Sequence, residues 1–149
     1  MSRRALQVVN GLVGVATVGL GSVQLRFGVD SPLYAAAQLP QFPILDSNLR
    51  FFGGMGLGLG LVLLWILPSI ERQTTVFRAV WTCALLGGVG RLVSAAAVGP
   101  PSRLLVGFAV LEVVGAPALI YWQHRVAVST RQPRGAAGGH EREKDVAGG

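Results

Sequence analysis

The sequence predicts an all-α integral membrane protein, an antiparallel bundle of four transmembrane helices with both chain ends in the cytoplasm. Three observations lead there. Of the 149 residues 51% are hydrophobic and only 13% are charged, whereas a soluble domain carries about a quarter charged residues because its surface faces water. A short chain has a large surface for its volume, so lipid must cover what these few charges cannot. The apolar residues gather in four blocks of bilayer length, and the basic residues collect mainly on one side of them.

The first block, Ala5 to Gln24, holds no charge between Arg4 and Arg26. About 20 helical residues at ~1.5 Å each cover the ~30 Å of hydrocarbon. Ser2-Arg3-Arg4 resembles the start of a signal peptide, but the apolar stretch is long for a signal. The small-residue run Ala35-Ala36-Ala37 also lies far beyond it, so the block reads as an uncleaved span, residues 5–26. Phe51 to Ile70 forms the second block, within a span of 49–70 closed by Pro68. Thr75 to Val98 is the third, interrupted by Arg91, and Leu104 to Trp122 marks the fourth, 103–124, interrupted by Glu112. The Gly99-Pro100-Pro101-Ser102 link admits only an antiparallel helical hairpin. These spans make one domain, 1–128. Phe27 to Leu45 is too apolar for a free loop and too broken by Pro32, Pro40 and Pro43 to cross. It is expected along the outer interface, or over the bundle mouth as a short helix near Leu33–Gln38. From Ser129 to Gly149 the chain is polar and mixed in charge, a disordered cytoplasmic tail.

Charge placement sets the orientation. With the N-terminus inside, the inner segments hold Arg3, Arg4, Arg72, Arg78, Arg125, Arg131, Arg134, Arg142 and Lys144, and the outer ones Arg26, Arg50 and Arg103. Positive charge accumulates on the cytoplasmic side, and an even number of spans brings the basic C-terminus there too. The net charge of +6 is therefore membrane-flanking. It does not point to nucleic acid, for there is no continuous basic helix with interleaved aromatics. The chain is expected in a cell membrane as a multi-pass protein.

Arg91 and Glu112 are the informative pair. Each interrupts a span at a cost of about 2.5–3.5 kcal/mol. Arg91 lies eight residues before Gly99 and Glu112 nine after Arg103, depths of roughly 12 and 14 Å on neighbouring antiparallel helices. Ala84, Gly87, Gly88, Ser94 and Ala95 share the Arg91 stripe, and Ala109, Gly115 and Ala116 that of Glu112. Small residues mark close helix approach in membranes, so both charges are expected to face inward and meet. Asp46, four residues before Arg50, is placed to N-cap the second span and to pair with Arg50. Arg50, with Gln24, would then extend a polar path from Glu112 to the outer surface, leaving the inner half dry. Gly54 with Gly58, and Gly56 with Gly60, form overlapping GxxxG pairs; with Gly87, Gly88 and Gly115 they are the expected packing positions.

Other chemistry finds little footing. The glycine run has neither the spacing nor the preceding strand of a nucleotide loop. Cys83, the single cysteine, reads as a buried apolar thiol. His124 reads as interfacial and His140 as a tail residue, without metal-ligand partners. Ser94 has no general base at its depth, so no enzyme, metal or cofactor is predicted.

The segments DSNLRFFGGMGLGLGLVLL, GRLVSAAAVGPPS and FAVLEVVGAPAL resemble a bacterial family of small four-helix membrane proteins described as domain of unknown function 4345. More distantly, the chain is similar to DoxX-like four-helix membrane proteins, some linked with redox or thiol systems. The resemblance implies the fold; the single cysteine gives the redox link no residues to rest on. Two functions stay open. One is a membrane scaffold or accessory subunit, whose partners are the bilayer and a second copy or another membrane protein. The alternative is a binder or carrier of a small amphiphile or lipid, in an outward-facing pocket lined by Arg50, Arg91 and Glu112. A proton relay through Glu112 is disfavoured because no inverted repeat is visible.

Overall fold

The computed structural model describes residues 2–100 and 102–131. Helix α1 runs Arg3–Phe27, α2 Pro43–Ile66 and α3 Thr74–Val98; the fourth span joins α4 (Arg103–Val110), a π-helical turn (Leu111–Gly115) and α5 (Ala116–Arg131). The described residues contain no strand. Four segments, Arg3–Asp30, Pro43–Ser69, Thr74–Val98 and Arg103–Thr130, are long and apolar enough to cross a membrane. The protein is a four-helix membrane bundle made of two hairpins, α1 with α2 and α3 with α4–α5.

The first hairpin is the tighter. Its antiparallel helices meet every seventh residue: Gln7 donates to the Leu67 carbonyl (2.7 Å), Gly14 faces Gly60, Gly21 faces Gly53, and Gly28 faces Asp46. A Cβ at Gly60 would lie 2.8 Å from the Val18 nitrogen and 3.0 Å from the Gly14 oxygen, and one at Gly21 2.8 Å from the Gly53 oxygen. Only glycine lets the backbones come this close, and a seven-residue contact period is that of a left-handed supercoil. The contact therefore keeps Gly60 of the expected glycine pairs and uses Gly53 in place of Gly54 and Gly58. A Cβ at Gly54 would meet only Leu25, at 3.8 Å, and one at Gly58 nothing within 4 Å.

Helix boundaries shift for local reasons. Helix α2 starts at Pro43, six residues before the expected span, because proline is pre-organised for the first helical position. Asp46 then lies inside the first turn, with Phe42 as N-cap, so the N-cap role expected of it is corrected. Helix α5 runs to Arg131, beyond the expected end of the span, and Ser129 and Thr130 donate back to the Val126 carbonyl (2.9 and 2.8 Å). The rest of the predicted tail, residues 132–149 with His140, lies outside the described residues. Between α1 and α2 the chain makes two 3₁₀ turns, Gly28–Asp30 and Pro32–Ala37. The first packs on the ends of α1 and α2.

All four spans meet in one core at the end holding the start of α1 and the start of α3. Leu6, Leu63, Ile66, Phe77, Trp81, Leu119 and Val126 form it. This basic end is not dry as expected. Asn10, fully buried, accepts from the Trp81 indole nitrogen (3.1 Å) and donates to the Leu6 carbonyl (2.9 Å). Gln123, also fully buried, donates to the Ile70 carbonyl and the Thr74 hydroxyl (both 3.0 Å). Towards the far end the hairpins separate: α4 packs on α3, with no more than marginal contact to α1 or α2.

Candidate intramembrane charge pairs

Helix α3 presents Phe77, Trp81, Gly88 and Arg91 along one stripe, the first three of them buried. The lack of a side chain at Gly88 admits the fourth span: a Cβ there would lie 2.7 Å from Glu112 Cβ and 2.8 Å from Val113 Cγ2. One turn further, Arg91 Nε donates to Glu112 Oε2 at 3.0 Å. The two side chains keep 39% and 25% of their surface free of protein. Among the described residues Arg91 makes this one hydrogen bond, a single N–H···O contact rather than the two-pronged fork that guanidinium can form with a carboxylate. Neutralising one charge with the other is how a membrane interior tolerates either.

Glu112 sits inside the π-helical turn, which the sequence reading did not anticipate. Its cause lies just downstream. Pro117 has no N–H to offer the Val113 carbonyl, and its ring crowds that carbonyl; a wider turn over Leu111–Gly115 takes up the misfit. The same turn leaves Gly115 against Leu111 of its own segment (3.2 Å), while Gly87 has nothing within 4 Å. Of the packing glycines expected on these helices, Gly88 alone is pressed by the neighbouring helix.

Asp46 and Arg50 belong to the other hairpin. Arg50 Nε donates to Asp46 Oδ2 (2.7 Å), and its Nη1 donates to the carbonyls of Leu25 (3.1 Å) and Arg26 (2.6 Å). The Asp46 carboxylate also accepts from the Val29 amide (3.0 Å). Arg50 thus satisfies the carbonyls left open at the end of α1. Gly28, at φ 56°, turns the chain there, and a side chain at that position would strike the Asp46 carboxylate. Gln24 donates to the Gly28 carbonyl (3.1 Å). The expected path from Glu112 through Arg50 and Gln24 is replaced by two separate clasps, one on each hairpin.

A cavity of ~210 Å³ opens between α3 and α4 beside Leu92, Ala95, Val106, Ala109 and Val110. Of the four charged site residues Arg91 alone borders it, and its walls are apolar. Cys83 is free and exposed, turned out of the core rather than into it as expected. Among the described residues no group of three or more His, Cys, Asp or Glu could hold a metal ion.

A family model for a domain of unknown function, DUF4345, matches residues 5–123. The chain belongs to this family. No curated protein and no solved structure matches it. The DUF4345 region takes in both charge pairs, the facing glycines of α1 and α2, and the buried Asn10, Trp81 and Gln123. The last three carry no charge to set them apart from their blocks in the sequence. Asn10, an amide among apolar residues well inside the first block, was the available signal.

Proposed function

We propose that this protein is a non-catalytic accessory subunit or scaffold of the bacterial inner membrane, with both ends in the cytoplasm, and that it works by seating a second membrane protein or a second copy of itself. The observation that carries this reading is where the intramembrane charges go. Arg91 with Glu112, and Arg50 with Asp46, bond within their own hairpins, while the far halves of the hairpins have little to do with one another. Polar groups are thus used to hold the scaffold, and the exposed Ser94 and Val98 on α3 beyond Gly88 are left for a partner. The rival reading, an amphiphile pocket lined by Arg50, Arg91 and Glu112, draws less support, because Arg50 stands on the other hairpin and the cavity beside Arg91 is small and apolar.

The test is a photo-crosslinking residue in place of Ser94, which is exposed on the Arg91 stripe. Irradiated in native membranes, it is expected to give one discrete protein adduct, either a self-dimer or a single heterologous band. Adducts to lipid alone would contradict the scaffold reading. A small amphiphile that co-purifies with the wild type and is lost from an Arg91→Leu/Glu112→Met variant, seen by native mass spectrometry, would favour the pocket.

A further inference from the structure

The basic end of the bundle carries more than a diffuse positive charge. There Arg3, Arg4, Arg72, Arg78 and Arg125 stand against Glu71 alone among the described side chains, and Glu71 is engaged by Arg3 at 2.8 Å. Arg78, near the start of α3, and His124 and Arg125, on α5, are all exposed. Arg78 Nη2 lies 3.5 Å from His124 Nδ1. This contact brings α3 and α5 together at the basic end. Arg125 is held over the Tyr121 ring (6.0 Å to its centre) and donates to the Tyr121 hydroxyl (3.2 Å).

We infer that Arg78, His124 and Arg125 form a binding site for the phosphate of an anionic phospholipid headgroup, where the start of α3 meets the end of α5. Guanidinium groups bind phosphate with paired hydrogen bonds, and no carboxylate among the described side chains competes for these two. The exposed Tyr121 marks the level: such rings sit at the membrane–water boundary, where phospholipid phosphates lie and basic residues attract them. A neutral zwitterionic lipid lacks the net charge that would favour it at a site with no acid nearby.

The full-length protein, released from detergent in a mass spectrometer after titration with phosphatidylglycerol or phosphatidylcholine of matched chains, tests this. Wild type is expected to retain phosphatidylglycerol preferentially, and an Arg78→Gln/Arg125→Gln variant to lose that preference by roughly thirtyfold at an unchanged melting temperature. An Arg78→Lys/Arg125→Lys variant, which keeps charge without the fork, is expected between the two. Arg26→Gln at the opposite end is expected to bind as wild type does. Equal retention of both lipids by wild type would overturn the proposal, as would full retention by the Gln variant. An equal loss in Arg26→Gln would show that the attraction has no local site. Displacement of the lipid by millimolar inorganic phosphate would mean a soluble phosphate is the ligand instead.

Discussion

Arg50 shows how one membrane-flanking residue serves two helices. Its Nε holds Asp46 one turn back while its Nη1 reaches the last carbonyls of α1 (2.6 and 3.1 Å). Arg50→Leu removes all three donors. The last carbonyls of α1 and the Asp46 carboxylate then lose their shared donor, so the melting temperature in detergent is expected to fall. Arg50→Lys is expected to recover only part of the loss, since an ammonium cannot span the same fork. The buried Asn10–Trp81 bond makes a second prediction at this scale. Trp81→Phe deletes the indole N–H that Asn10 accepts while keeping an aromatic ring beside Phe77. It is expected to destabilise the fold by about 1–3 kcal/mol, and an Asn10→Leu/Trp81→Phe double variant to recover much of that, as a double-mutant cycle by thermal melting would read.

At the scale of elements, the two hairpins are built differently. The first depends on backbone approach at Gly14, Gly21, Gly53 and Gly60; the second on Gly88 and the Arg91–Glu112 bridge. Gly53→Ala puts a methyl group into the backbone around Gln24 and Leu25, so it is expected to cost about 1–3 kcal/mol and to loosen α1 from α2. Gly58→Ala meets nothing and is expected to leave the monomer's stability unchanged; comparing the two melting curves checks the register. Much of this level was legible in the sequence. Block length and charge gaps predict four spans, and matched depths predict that Arg91 faces Glu112. The glycine register was open to reading as well: Gly14, Gly21 and Gly28 recur at seven residues, as do Gly53 and Gly60. The shorter GxxxG spacing includes Gly60 but also Gly54 and Gly58, which α1 does not press. The π-helical turn was harder, because Pro117 announces a distortion without saying which carbonyls will absorb it.

For the whole molecule, the ends are unequal. One end joins all four spans through Leu6, Ile66, Phe77, Trp81 and Val126, tied by Asn10 and Gln123. The other leaves each hairpin to its own clasp. That inequality was not legible from the sequence, since hydropathy gives the length of a span and not which neighbour it touches. Charge asymmetry does bear on orientation. With the basic end in the cytoplasm, a reporter active only there is expected to be silent when fused after Val98 and active when fused after Arg131; the reverse pattern would invert the bundle.

The assignment of the intramembrane charges to holding helices is tested most directly by melting Arg91→Leu, Glu112→Met and the double variant in the same detergent. Each single change strands one charge in an apolar setting and is expected to destabilise the bundle by about 2–4 kcal/mol, while the double change, which strands none, is expected to return to near wild-type stability. A double variant as unstable as the two single losses combined would contradict the bridging role of this pair.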